Sequence, residues 1–374
     1  VSKREILQNA KRIVVKVGTS TLTHSTGKLN LHRIEKLVRE LADLANQDKE
    51  LLLVTSGAVG AGMDRLGWKE KPKSISDKQA AAAVGQGMLM HIYEKFFAEY
   101  GQIVAQVLLT REDSIYRKRF LNSRNTLLGL IKHRVIPIIN ENDVVAWEEL
   151  KIGDNDNLSA LVAGLVDADA LIILSDVDGV YTDNPAKNPH AQLISLIEEI
   201  TSEIEDIAGG PGSMRGTGGM YTKIQAAKIA MNSGVPMVIA NGGEDGHIRG
   251  ILSGQEIGTL FLPKDHKLHI RKCWIAYGAM SQGRITVDAG AAKALENGKS
   301  LLPKGLLIVE GEFEQGNIVA VVNQSGKELA RGIVNYDHEE LEKIKSAHSD
   351  DIVAILGYKH FDEVIHRDNL VLLI

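Results

Sequence analysis

The 374-residue sequence has a single cysteine, Cys273. That excludes an internal disulfide framework and any zinc site built on clustered thiolates, and it fits a reducing compartment. The twelve histidines form no H-x-x-x-H or comparable helical pair, so a histidine zinc site is not expected either. Cys273 stands beside Trp274 and reads as a packed residue rather than a nucleophile. Long apolar runs are also missing. None approaches the roughly 20 residues needed to span a bilayer, and the N-terminal VSKREILQNAKR carries charges where a signal peptide needs its apolar segment. A soluble cytoplasmic protein with no membrane attachment is expected. Nor is there an excess of charge of one sign. Forty-three Lys+Arg against 48 Asp+Glu give a net charge of −5, too mild for general attachment to nucleic acid or anionic membrane. Low-complexity tracts and repeats of 20–50-residue period are absent, and 44% hydrophobic with 24% charged residues excludes a disordered or fibrous chain.

What is present is a rhythm. From residue 12 to about 262, short β-branched apolar runs alternate with polar or glycine-rich turns and longer helical patterns. Strands are expected at 12–17, 51–55, 103–109, 135–139, 170–174 and 235–240. Helices are expected from Leu31, Ser76, Leu121, Asp156 and Thr222. Strands apolar on both faces and separated by helices predict an α/β fold, a three-layer αβα sandwich with a mostly parallel central sheet. After Pro263 the rhythm changes to short strand-like runs and close turns, with one charged helical stretch at HEELEKIKSAH. Two domains are therefore expected, an α/β domain over 1–263 and a small, mainly β domain over 275–374.

In open α/β sheets ligands bind beyond the carboxyl ends of the strands. Here those ends read Gly18-Thr19-Ser20, Ser56-Gly57-Ala58, Thr110-Arg111, Asn140-Glu141-Asn142-Asp143, Ser175-Asp176 and Asn241-Gly242-Gly243. Any one is explained as a turn, but six together favour a site. Lys16 interrupts a strand apolar on both faces: either that strand lies at an edge and the lysine is solvated, or an ammonium sits at the sheet end beside a turn whose amides can hold a phosphate. GTGGMYTK, residues 216–223, places glycines before a helix start with Lys223 in its first turn, an anion site or a flexible loop. It is not a Walker A motif, because Thr222 precedes the lysine. GDNDNLSA, residues 153–160, has more Asp and Asn than a helix cap needs; the carboxylates either orient the two lysines or help hold Mg²⁺ on a nucleotide. The basic cluster Arg111, Arg117, Lys118, Arg119 and Arg124 reads equally as an anion site or a solvated helix start.

Taken in order, VVKVGTS, VTSGAVGAG, INENDVV, GDNDNLSA, SDVDGVYTDNP and GTGGMYTK resemble the amino acid kinase family, and the tail with GRITVDAGAAKALENGKSLLPKGL and ILGY resembles a PUA domain. The resemblance covers nearly the whole chain. It implies ATP- and Mg²⁺-dependent phosphorylation of the side-chain carboxylate of L-glutamate, the first step of proline biosynthesis. Lys16, Lys223 and Asp156 would be catalytic, the lysines flanking the phosphoryl group and Asp156 holding them. Ser56, Asp143 and Asn155 would bind glutamate. Lys16, Ser175, Asp176 and the stretch Thr217, Gly218, Gly219, Met220, Tyr221, Thr222 and Lys223 would bind ATP, and no metal ligand is named. Ser175 and Tyr221 depart from the commonest family pattern, which implies altered nucleotide contacts. The resemblance also implies feedback inhibition by proline, a homo-oligomer and coupling to glutamyl phosphate reductase. Sibling kinases acting on aspartate, acetylglutamate, carbamate or UMP are the alternative reading. The PUA-like tail raises an RNA partner, but residues 271–374 carry 12 Lys+Arg against 15 Asp+Glu, so RNA binding is not expected.

Overall fold

The structure is a computed structural model that describes residues 3–24, 26–110, 113, 117–145, 155–185, 188–208, 219–264, 272, 275–276 and 281–373. The chain divides into two compact units, with the division at residues 267 and 268.

The first unit is built on eight strands: β1 (Arg12–Val17), β2 (Glu50–Val54), β3 (Ile103–Leu109), β4 (Val135–Glu141), β5 (Ala170–Ser175), β6 (Leu196–Ile197), β7 (Met237–Asn241) and β8 (Thr259–Phe261). Their order across the sheet is β3-β4-β2-β1-β5-β7-β8-β6, and every neighbouring pair is parallel except β7 and β8. The six strands expected from the sequence are all there, those at 12–17 and 103–109 with the same bounds and the others with ends shifted by at most two residues. β6 and β8, two and three residues long, were not expected; runs that short carry no periodic signal.

Alternation along each strand divides the sheet into two faces. Ile13, Val15 and Val17 of β1, with Leu51, Leu53, Ile172 and Leu174, join one core with Ile34, Leu37 and Leu41 of helix Leu31–Asn46 and Leu89, Tyr93 and Phe97 of helix Ile75–Glu99. Val14 and Lys16 point the other way, where helices Asn155–Leu165 and Met220–Asn232 pack on each other and on the central strands. Helix Ala58–Leu66 packs on helix Ile75–Glu99 through glycine. A Cβ on Gly62 would stand 1.8 Å from the Ala81 carbonyl oxygen, and one on Gly85 would stand 1.7 Å from that of Ala58. The two helices meet backbone to backbone.

The N-terminal segment is tied down by Arg4. Its buried guanidinium donates to four carbonyl oxygens, those of Ser195 (3.0 Å), Gln255 (3.2 Å), Ile257 (2.8 Å) and Gly258 (2.7 Å). Burial lowers the pKa of this group from its ordinary value, and Glu256 opposes the shift.

The second unit has five strands, β9 (Gly283–Val287), β10 (Leu306–Glu310), β11 (Ile318–Val322), β12 (Glu328–Ile333) and β13 (Leu370–Leu372), ordered β10-β9-β11-β12-β13. All pairs are antiparallel except β9 with β11. Its own core includes Ile285, Val319, Val321, Tyr336, Leu341 and Ile352. The expected charged helix is His338–Ile344, started by a reciprocal capping box between Asp337 and Glu340. The sequence GLLIVEGEF reads as one long strand, yet β10 stops at Glu310 because Gly311 turns the chain at φ +92°. Glu310, Glu312 and Glu314 therefore do not share a strand face.

Candidate active site

Lys16 is an even-numbered residue of a central strand, so its side chain points to the face that carries helices Asn155–Leu165 and Met220–Asn232. The edge position that a solvated lysine would need is ruled out, since β1 lies between β2 and β5. The second residue of the first helix, Asp156, is fully buried, and Lys16 and Lys223 are each 4% exposed. Lys16 Nζ lies 2.6 Å from Asp156 Oδ1 and Lys223 Nζ 3.2 Å from Oδ2. The Thr222 hydroxyl lies 3.0 Å from Oδ2 and 2.8 Å from the Gly219 carbonyl. One carboxylate thus holds two largely buried ammonium groups and does not by itself balance their charge. Such a cluster is costly unless an anion completes it. Both Asp156 oxygens face lysines, the geometry expected of a carboxylate that orients them.

The residue before Asp156 works on the other half of the site. The Asn155 amide nitrogen lies within hydrogen-bond distance of three acceptors: the Thr55 carbonyl (2.7 Å), Ser56 Oγ (2.9 Å) and Asn140 Oδ1 (2.9 Å). Asn140 in turn donates to Gln86 Oε1 at 2.8 Å. The Thr55 hydroxyl pairs with Tyr93 at 2.8 Å, and burial raises the Tyr93 pKa, keeping the phenol neutral. After Ser56, Gly57 adopts φ +96° to turn the chain into helix Ala58–Leu66, whose start has no side-chain cap.

These parts meet at a cavity of about 750 Å³ beyond the carboxyl ends of β1, β2, β4 and β5. Lys16, Ser56, Asp143, Asn155, Ser175, Asp176 and Lys223 all line it. Asp156 lies beneath, facing its lysines. Ser175 donates to Asp176 at 3.0 Å, and the Gly242 amide donates to the Ser175 carbonyl at 2.7 Å, so the β7 end supports the β5 end. Gly219 caps helix Met220–Asn232 in extended conformation without a side-chain bond; Met220, Tyr221 and Thr222 form its first turn, with Tyr221 exposed. Thr217 and Gly218 lie outside the described residues. The described members of the basic cluster, Lys118, Arg119 and Arg124, are not part of the cavity lining: Arg119 pairs with Asp113 at 3.6 Å and Arg124 with Asp167 at 2.8 Å, while Arg111 and the Arg117 side chain lie outside the described set. Cys273 lies outside it too.

Asn140 and Glu141 also line the cavity; they belong to the fourth strand end named from the sequence, although the resemblance gave neither a role. Lys71, Ile75, Lys78 and Gln79 line it as well, without any motif in the sequence to mark them. Among the described residues no three His, Cys, Asp or Glu side chains are placed to hold a metal ion.

Residues 11–241 match the amino acid kinase family. The chain belongs to the amino acid kinase family. Residues 283–356 match the PUA domain. Over nearly its full length this amino acid kinase is similar to proteins named glutamate 5-kinase: 58% identical to that of Moorella thermoacetica, with 99% of this chain and 98% of the relative covered. It is 60% identical to that of Caldanaerobacter subterraneus, with 97% and 98% covered, and 50% identical to that of Geobacter sulfurreducens, with 98% and 99% covered. Membership of this kinase family implies ATP as phosphoryl donor.

Proposed function

We propose that the protein transfers the γ-phosphoryl group of ATP to the side-chain carboxylate of L-glutamate, giving L-glutamyl 5-phosphate and ADP, the first step of proline biosynthesis. The observation that carries this is the Asp156-held lysine pair opening onto a cavity that also bears Ser56, Asp143 and Asn155. A carboxylate oxygen attacks the γ-phosphorus as the bond to the bridging oxygen breaks, and no proton moves. Lys16 and Lys223 neutralise the charge on the equatorial oxygens. Asp143 faces the substrate ammonium, and Asn155 and Ser56 orient it. Ser175, Asp176 and the residues from Thr217 to Lys223 hold the nucleotide; Asp176, on the cavity wall, would offer a carboxylate to the Mg²⁺ that accompanies it, and that ion would neutralise phosphate charge.

Proline shares the α-carboxylate and ammonium of glutamate, so its inhibitory site overlaps Ser56, Asp143 and Asn155, and raising glutamate should relieve the inhibition. The kinase domain spans 1–263 and the PUA domain 275–374. Assembly as a homo-oligomer and hand-over of the acyl phosphate to glutamyl phosphate reductase complete the reading. The test is to trap the acyl phosphate with hydroxylamine while varying the amino acid offered. Glutamate should give hydroxamate. Hydroxamate from aspartate or acetylglutamate but not from glutamate would overturn the assignment.

A further inference from the structure

The first turn of helix Ile75–Glu99 fronts the candidate active site, a placement that the motifs do not account for. Ile75, Lys78 and Gln79 stand at the i, i+3, i+4 spacing of one helical face, and all three line the cavity that holds Lys16 and Asp143. The helix is held at its start and again further along. Ser74 caps it, accepting from the Asp77 amide at 3.1 Å, and the glycine contact at Gly85 joins the same helix to Ala58–Leu66, whose first residues are another part of the cavity wall.

Charge bookkeeping then singles out one side chain. Among the described residues four cations line the cavity, Lys16, Lys71, Lys78 and Lys223, with three carboxylates, Glu141, Asp143 and Asp176. A bound glutamate brings three charges. Its side-chain carboxylate belongs beside the phosphoryl group with Lys16 and Lys223, and its ammonium belongs with Asp143. The α-carboxylate needs a cation from what is left. Lys71 is exposed, whereas Lys78 is half-buried, where the lower local dielectric strengthens a charge-assisted bond.

We propose that Lys78, with the Gln79 amide beside it, binds the α-carboxylate of the amino-acid substrate and so makes the enzyme select glutamate over molecules that lack this group. Ile75 offers apolar surface to the substrate methylenes. This rests on the glutamate-kinase reading above. It adds a residue that reads the end of the substrate remote from the chemistry, so its loss should appear in binding before it appears in turnover.

4-Aminobutyrate is glutamate without the α-carboxylate, and it supplies the test. In the full-length protein, kcat and KM are measured for glutamate and ATP by hydroxamate formation, and the inhibition constant of 4-aminobutyrate is measured against glutamate. Lys78→Met should raise the glutamate KM by about 10- to 100-fold, as loss of a charge-assisted hydrogen bond does. The ATP KM and the 4-aminobutyrate inhibition constant should stay within about twofold, and Lys78→Arg should recover part of the glutamate affinity. Thermal melting followed by circular dichroism checks the fold, and Lys78→Gln repeats the test should the Met variant unfold. A glutamate KM within about threefold of wild type overturns the proposal, and so does an equal weakening of glutamate and 4-aminobutyrate. Wild-type protein that makes no hydroxamate from glutamate would bring down the parent reading, and this one with it; wild-type activity with an indifferent Lys78 would bring down this one alone.

Discussion

Asp156 gives one oxygen to Lys16 and the other to Lys223, and this division predicts an order among variants. Removing either lysine leaves the carboxylate paired with the other, whereas Asp156→Asn takes from both buried ammonium groups the carboxylate they share. Asp156→Asn should therefore lower the unfolding free energy by about 3 kcal/mol or more and by more than Lys16→Ala or Lys223→Ala, measured as urea midpoints with slopes. The lysine variants should instead fold and lose about 10²-fold or more in kcat at saturating substrates, since each removes a donor aimed at charge that peaks in the transition state. Near-wild-type turnover in either would end its catalytic assignment. Asp143→Asn should raise the glutamate KM and leave the ATP KM alone; the reverse pattern would move Asp143 to the nucleotide half. At this scale the sequence was uneven. Lys16 announced itself by breaking an apolar strand, and Lys223 by following a glycine loop. The half-buried Lys78 has no such marker, because a lysine in a first helical turn looks the same whether it faces solvent or a cavity.

Two glycines decide how the helices on the substrate side are set. An added methyl on Gly85 would fall 1.7 Å from a backbone oxygen, a place no rotamer change can clear, so the helices must separate. Gly85→Ala should cost about 2 kcal/mol or more of stability and raise the glutamate KM, because Ser56–Gly60 and the Lys78 turn would move apart; an unchanged urea midpoint would show that the helix pair is not tightly held. The strands and helices that set the sheet were legible from β-branched runs alternating with longer helical patterns. This helix pairing was not, since Gly62 and Gly85 look like propensity defects until their partner backbones are known. The early stop of β10 is similar: GLLIVEGEF carries strand residues past Glu310, and only the left-handed Gly311 says otherwise.

Each unit has a buried core of its own, and the described cavity residues all belong to the first unit. A chain ending after residue 267 should therefore retain phosphoryl transfer, assayed as glutamyl hydroxamate; a folded truncation without activity would show that the second unit completes the site. The isolated preference of the second unit for acidic over basic residues predicts no salt-sensitive RNA retention at physiological ionic strength, checked by filter binding with residues 268–374 deleted as control. Arg4 sets a different constraint, one of timing. Its four carbonyl partners lie 191 to 254 positions further along the chain. During synthesis this arginine leaves the ribosome 191 to 254 residues ahead of those partners and waits for almost the whole first unit to follow before its hydrogen bonds can form. At about 5 to 20 residues per second, that is a delay on the order of tens of seconds in which the segment stays open to proteases and chaperones.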